Sequence, residues 1–92
     1  MTIRAVVKGV GHYLPDRVVA NADLEGLVDT TDAWIKIRSG IERRHYAAEG
    51  QTTSDLGTRA ALAALADAGL LPDDLDAIIV ATSTADLTFP SA

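Results

Sequence analysis

The sequence of 92 residues contains no cysteine, and its aromatic residues number four: one tryptophan, one phenylalanine and two tyrosines. Without cysteine there are no disulfide staples, no thiolate zinc sites and no cysteine nucleophile within these residues. No apolar stretch approaches the roughly 20 residues of a membrane-spanning helix. Residues 1–8 lack the basic region and apolar core of a secretory signal. Basic residues are few, 8 against 13 acidic ones for a net charge of −5, which argues against nonspecific nucleic-acid binding. What is plentiful is apolar surface: 48% of the residues are hydrophobic, too many for a disordered chain. The length allows one domain at most, or part of one. The expectation is a soluble cytoplasmic protein with neither a membrane nor a nucleic acid as partner.

The few basic groups are not evenly spread. Residues 1–45 hold seven of the eight, and Lys36, Arg38, Arg43 and Arg44 cluster beside His45. A small basic cluster on an acidic background suits a compact anion such as a phosphorylated cofactor. A solvated surface loop explains the same charges equally well.

The chain reads as alternating strands and helices. Residues 3–10 are β-branched-rich and end at Gly9 and Gly11, which predicts a buried strand. Pro15 and Asp16 mark a turn. Asn21 is a good N-cap for a short helix over residues 22–28. Asp29-Thr30-Thr31 can cap a second one that runs through Ile37 and stops at Gly40. Residues 42–51 are polar and read as a loop.

The strongest helix signal covers residues 53–68. Thr52 and Asp55 have capping-box spacing, six alanines lie between Ala60 and Ala68, and Gly69 and Pro72 end the pattern. Asp55, Arg59 and Asp67 share one polar sector, and most of the remaining circumference is apolar. Such a helix needs cover on more than one side, and its alanines permit close approach by neighbours. Residues 77–81, Ala-Ile-Ile-Val-Ala, predict a strand covered on both faces. The order strand, helix, strand predicts a right-handed βαβ crossover, with ligands beyond the carboxyl end of the second strand, where residues 82–92 lie.

Several motifs carry little chemistry. Gly9-Val10-Gly11 lacks the third glycine and the following helix of a dinucleotide fingerprint and reads as a strand-to-turn transition. His12 and His45 lack metal-ligand spacing. Asp73, Asp74 and Asp76 lack the ligand pattern of a calcium loop and read as a solvated turn. No metal site is predicted. Trp34 is less easily set aside. On a helix Thr30, Trp34 and Arg38 share one face at i, i+4 and i+8. A hydroxyl, a flat aromatic and a guanidinium so placed could hold an adenine and its phosphates. A core tryptophan ringed by ordinary surface groups would show the same spacing.

The ordered set of motifs resembles the N-terminal part of the β-ketoacyl-acyl carrier protein synthase III family. It runs from Gly9-Val10-Gly11-His12-Tyr13-Leu14-Pro15 through Asn21-Ala22-Asp23-Leu24-Glu25, Val28-Asp29-Thr30-Thr31-Asp32-Ala33-Trp34-Ile35, Arg38-Ser39-Gly40-Ile41-Glu42-Arg43-Arg44-His45, Thr53-Ser54-Asp55-Leu56 and Ile78-Ile79-Val80-Ala81-Thr82 to Phe89-Pro90-Ser91-Ala92. The resemblance implies an α/β chain, the N-terminal part of a thiolase-like fold with a mixed sheet and α/β/α layers, in which residues 1–92 are an incomplete portion. It implies a cytoplasmic homodimer that condenses a short acyl-CoA, acetyl-CoA above all, with malonyl-acyl carrier protein. Coenzyme A enters as the thioester substrate, and no separate cofactor is implied. Residue by residue, Trp34 matches the position that stacks on the CoA adenine, and Thr30 and Arg38 match positions on its nucleotide portion. Phe89 matches an aromatic of the partner subunit's acyl pocket. Ser39, Ala33 and Ala85 depart from the more usual threonine, glutamate and proline. The family's nucleophilic cysteine follows a Phe-Pro-Ser-Ala-like sequence, and its catalytic histidine and asparagine belong to the other half. These 92 residues are therefore expected to hold no catalytic residue and to be inactive alone. A related polyketide or other acyl-CoA condensing enzyme, or a stand-alone CoA-binding module, are the alternatives.

Overall fold

The computed structural model describes residues 3–87. They form two compact units, one made of residues 14–50 and the other of the residues up to Tyr13 together with those from Gln51 onward. The chain order is β1 (Arg17–Ala20), α1 (Asn21–Glu25), α2 (Asp32–Ser39), β2 (Arg43–Tyr46), α3 (Thr53–Ala68) and a single 3-10 turn at Pro72–Asp74.

In the first unit β1 and β2 pair antiparallel, with Val18 opposite His45 and Val19 opposite Arg44. The polar loop expected over residues 42–51 is therefore a strand over its first half. Sequence polarity misleads here because the polar side chains are themselves bonded. His45 Nδ1 lies 2.6 Å from the Pro15 carbonyl, and Arg44 donates to the Val19 carbonyl at 3.2 Å. The expected capping role of Asn21 is also corrected. Ala20 is the N-cap of α1, and Asp23 bonds back to the Ala20 amide at 2.9 Å. Asn21 is the first helical residue, and its amide is buried, with 1% of its surface exposed. It donates to the Ile41 carbonyl at 2.8 Å and to Asp32 Oδ1 at 2.9 Å, and its oxygen accepts from Arg44 at 2.5 Å. Three partners in a buried setting outweigh a single exposed cap bond. The helix itself ends at Glu25 instead of continuing to residue 28, because the Leu27 and Val28 amides both turn back to the Leu24 carbonyl.

In the second unit α3 has the limits that its sequence predicts. Thr52 caps it reciprocally with Asp55, and Gly69 stops it at φ 70°, the left-handed conformation that favours glycine. The polar sector of α3 holds the segment before it. Asp67 accepts from the Val10 amide at 3.0 Å, and Arg59 donates to the Tyr13 hydroxyl at 2.8 Å. Gly9 and Gly11 lie on the alanine face. A Cβ on Gly9 would stand 2.6 Å from the Ala64 carbonyl oxygen, and one on Gly11 2.7 Å from that of Ala60. The two glycines and the alanines thus explain each other: only their small size allows two backbones this close. Gly11→Ala is expected to destabilise the protein by about 1–3 kcal/mol, since backbone would have to shift. Gly26→Ala should be near neutral, because nothing lies within 4 Å of the added carbon. Urea denaturation midpoints of the two variants check this contrast.

The two apolar runs, residues 3–10 and 77–81, do not pair as strands among the described residues, so the predicted crossover is not closed by a ladder here. A strand exists through its neighbour's carbonyls and amides, and no described segment supplies them to these runs. Their side chains are correspondingly open, Ile79 to 94%. Between α3 and residues 75–81 runs an apolar groove of about 470 Å³, lined among others by Gly57, Ala61, Leu62, Leu65 and Ile79. Of the α3 side chains only Leu65 is buried. Contiguous apolar surface of this kind marks a face that packs against further protein. Asp74 bonds back to the Leu71 amide, so the acidic turn serves as local capping. No helix among the described residues is long and apolar enough to cross a membrane.

Candidate functional site

The Trp34 region is built on α2. Thr31 caps the helix, its hydroxyl accepting from the Trp34 amide at 3.1 Å. Gly40 ends it at φ 71°, with its amide bonded to the Lys36 carbonyl. Along one side Lys36 pairs with Asp32 at 3.3 Å and reaches Glu42 at 4.0 Å. Asp32 is the junction with the buried network. The Asn21 amide above all, and Lys36 after it, hold its carboxyl below the ordinary value of 3.8. Its backbone amide in turn donates to Glu25 at 2.8 Å. One buried asparagine therefore touches both ends of α2, Asp32 in its first turn and Ile41 just past its stop.

Trp34 stands 56% exposed among the described residues. Arg38, one turn on, lies with its guanidinium carbon 5.4 Å from the indole centroid, in cation–π range. A recess of about 230 Å³ opens beside the ring and is lined by Asp29, Thr30, Thr31 and Trp34. Thr30 precedes the N-cap and so does not share a helical face with Trp34, contrary to the predicted i, i+4 arrangement. A turn brings it there instead, its amide bonded to the Val28 carbonyl at 2.9 Å. The Thr30 hydroxyl is buried and has no hydrogen-bond partner among the described residues, so its bonding capacity remains unused. Lys36 is engaged by two carboxylates, whereas Arg38 makes no ion pair among the described residues. A flat ring and an unsatisfied hydroxyl beside one recess, with a guanidinium over the ring, are groups that can hold a planar base and a phosphate, although Asp29 also lines that recess.

A second polar assembly lies at the start of α3. The Thr53 hydroxyl donates to the Thr84 carbonyl. Both carboxylate oxygens of Asp86 are taken by Ser54, one by its amide at 3.0 Å and the other by its hydroxyl. These bonds hold the Asp86 carboxyl below its ordinary value.

The remaining expectations divide as follows. Among the described residues no cluster of His, Asp or Glu could hold a metal ion. His45 is engaged with a backbone carbonyl and belongs to the sheet. Phe89 lies outside the described residues. Asn21 is the residue that sequence reasoning misplaced, because an asparagine ahead of a helix is indistinguishable from a cap until its partners from residues 32, 41 and 44 are in place.

No protein-family model matches the chain. It is 80% identical, over all 92 residues, to the β-ketoacyl-[acyl-carrier-protein] synthase III of Cereibacter sphaeroides, and spans 28% of that protein's length. Among solved structures it is similar to 3-oxoacyl-[acyl-carrier-protein] synthase III from Aquifex aeolicus, with 48% identity and a TM-score of 0.82 over 90% of this chain and 27% of that one. It is also similar to the priming β-ketosynthase of the R1128 polyketide pathway, with 38% identity and a TM-score of 0.71 over 76% of this chain and 21% of that one. The α/β, thiolase-like fold class read from the sequence is the one that these structures share.

Proposed function

Because the chain belongs to the β-ketoacyl-[acyl-carrier-protein] synthase III family, we propose that it forms the CoA-nucleotide-binding portion of a condensing enzyme that starts type II fatty acid synthesis. The parent protein joins a short acyl-CoA, acetyl-CoA by preference, to malonyl-acyl carrier protein with loss of carbon dioxide. It works in the cytoplasm as a homodimer and needs no further cofactor. The observation that carries this reading is the exposed Trp34 with Arg38 over its ring and Thr30 beside its recess. In the proposed complex the adenine displaces Arg38 from the indole and stacks there, and the freed guanidinium turns to a phosphate. Thr30 completes its bonding through the nucleotide. Phe89 contributes to the acyl pocket of the partner subunit.

The chemistry belongs to residues beyond these 92. Thioester exchange needs a thiolate, and the chain has no cysteine. The parent protein, given radiolabelled acetyl-CoA and malonyl-acyl carrier protein, should release the condensed product, and the 92-residue chain should form no acyl-enzyme. Labelling of the isolated chain, or a parent that does not turn over these substrates, would contradict the assignment. Similarity to a polyketide-priming ketosynthase supports a second reading, in which the same fold accepts another primer. A panel of acetyl-, branched and aromatic acyl-CoA separates the two.

A further inference from the structure

The recess beside Trp34 is lined mostly by chain that belongs to no helix. Asp29, Thr30 and Thr31 precede α2, and Trp34 alone of the lining residues stands on it. The place of this segment is set at Asp32, the first residue of α2, where two bonds tie it back to α1. The Asp32 amide donates to Glu25 at 2.8 Å in an exposed setting. Its carboxylate accepts from Asn21 at 2.9 Å, and Asn21 is buried. Water competes more for the first bond than for the second, so the Asn21 bond is the firmer of the two. Asn21 is itself held in one orientation. Its amide nitrogen donates to Asp32 and to the Ile41 carbonyl, and its oxygen accepts from Arg44. Turned over, the amide would set its oxygen against two acceptors.

We propose that Asn21 and Asp32 are positioning residues for nucleotide recognition: their bond holds residues 29–31 against the first turn of α2 and so fixes the Thr30 hydroxyl beside the Trp34 ring. The inference rests on the reading of this recess as the CoA-nucleotide site. Neither residue is among those that line the recess, so both act through Thr30 and Trp34. With the bond in place the recess exists before the ligand arrives. Without it the ligand has to order the segment on binding, and affinity falls.

The sign of the effect separates positioning from simple electrostatics. The Asn21 amide, and Lys36 after it, hold the Asp32 carboxyl below its ordinary value, so it is an anion at neutral pH. It also occupies Lys36 at 3.3 Å. Removing Asp32 takes a negative charge from the surroundings of an anionic ligand and releases a cation, which by charge alone tightens binding. The positioning role demands the opposite.

The test titrates the parent synthase with adenosine 3′,5′-bisphosphate, the nucleotide end of coenzyme A without its thioester, by calorimetry. Asp32→Ala should raise the Kd about 10-fold, the scale of one charge-assisted hydrogen bond. Asp32→Asn keeps an oxygen for the Asn21 amide and should bind at least as tightly as wild type. Asn21→Asp keeps an acceptor for Arg44 but loses the donor to Asp32, and should weaken binding as Asp32→Ala does. Thermal melting shows which variants fold. The Asp32 side chain is 43% exposed and tolerates substitution, so Asp32→Ala decides the matter if Asn21→Asp does not fold. In Asp32→Ala the kcat/KM ratio of acetyl-CoA to acetyl-pantetheine, which lacks the nucleotide, should also fall about 10-fold. General loss of structure lowers both rates and leaves that ratio unmoved. Trp34→Ala is the control for the underlying reading. If it weakens binding of the bisphosphate while Asp32→Ala binds as wild type or tighter, the positioning proposal is wrong and the nucleotide site stands. If Trp34→Ala binds as wild type, the reading of the site fails, and the proposal that rests on it falls as well.

Discussion

Replacing Trp34 by alanine is expected to raise the acyl-CoA KM of the parent synthase about 10- to 100-fold while kcat changes little. Base stacking on an aromatic side chain is worth about 1–3 kcal/mol, and Trp34 offers an open indole face with a cation already attracted to it. The loss falls on binding because the adenine is remote from the reacting carbonyl, and uniform binding enters KM and not kcat. The alanine variant should fold normally, since the side chain is more than half exposed and the α2 cap uses only the backbone amide of residue 34. Arg38→Ala should weaken binding in the same sense, and combined with Trp34→Ala it should show non-additivity, as expected of two groups in contact.

The largest expected effect on stability comes from Asn21→Ala. The substitution removes the group that bonds Asp32, Ile41 and Arg44 and leaves a carbonyl and a guanidinium short of partners in a buried setting. That costs about 2–4 kcal/mol. The loss should be local, because the network lies within one unit of the structure. Amide hydrogen exchange in β1 and β2 should accelerate about 30- to 1000-fold in the parent protein, while α3 changes little. Equal acceleration in α3 would show that the two units open together.

These two residues also mark how far the sequence could be read. Trp34 was legible as a binding candidate from its chemistry and spacing, though Thr30 reaches it through a turn and not along a helix. The limits of α3 were legible because every signal there is local: the Thr52 and Asp55 cap, the alanines and Gly69. Gly9 and Gly11 read from sequence as a strand-to-turn transition, and their close approach to α3 was not legible, since the alanines that they meet lie about 50 residues away. Asn21 and Arg44 were not legible. Their roles depend on partners brought together by the β1–β2 pairing, and local sequence offers a cap and a polar loop as adequate accounts of each. The apolar runs over residues 3–10 and 77–81 carry strong strand patterns but find no ladder partner among the described residues, so pattern and pairing part company there. The Asp86 anchor lay beyond reach for a related reason, as its bonds to Ser54 cross 32 positions of sequence.

The central claim is that Trp34, with Thr30 and Arg38, reads the nucleotide of coenzyme A. The most direct measurement compares acetyl-CoA with acetyl-pantetheine, which carries the same thioester but no nucleotide, in the wild-type parent synthase and in Trp34→Ala. The account predicts that wild type prefers acetyl-CoA in kcat/KM, and that Trp34→Ala loses about 10- to 100-fold with acetyl-CoA while its rate with acetyl-pantetheine is unchanged. An equal loss with both substrates would contradict it and would place Trp34 in the structure of the protein instead of in its recognition of the nucleotide.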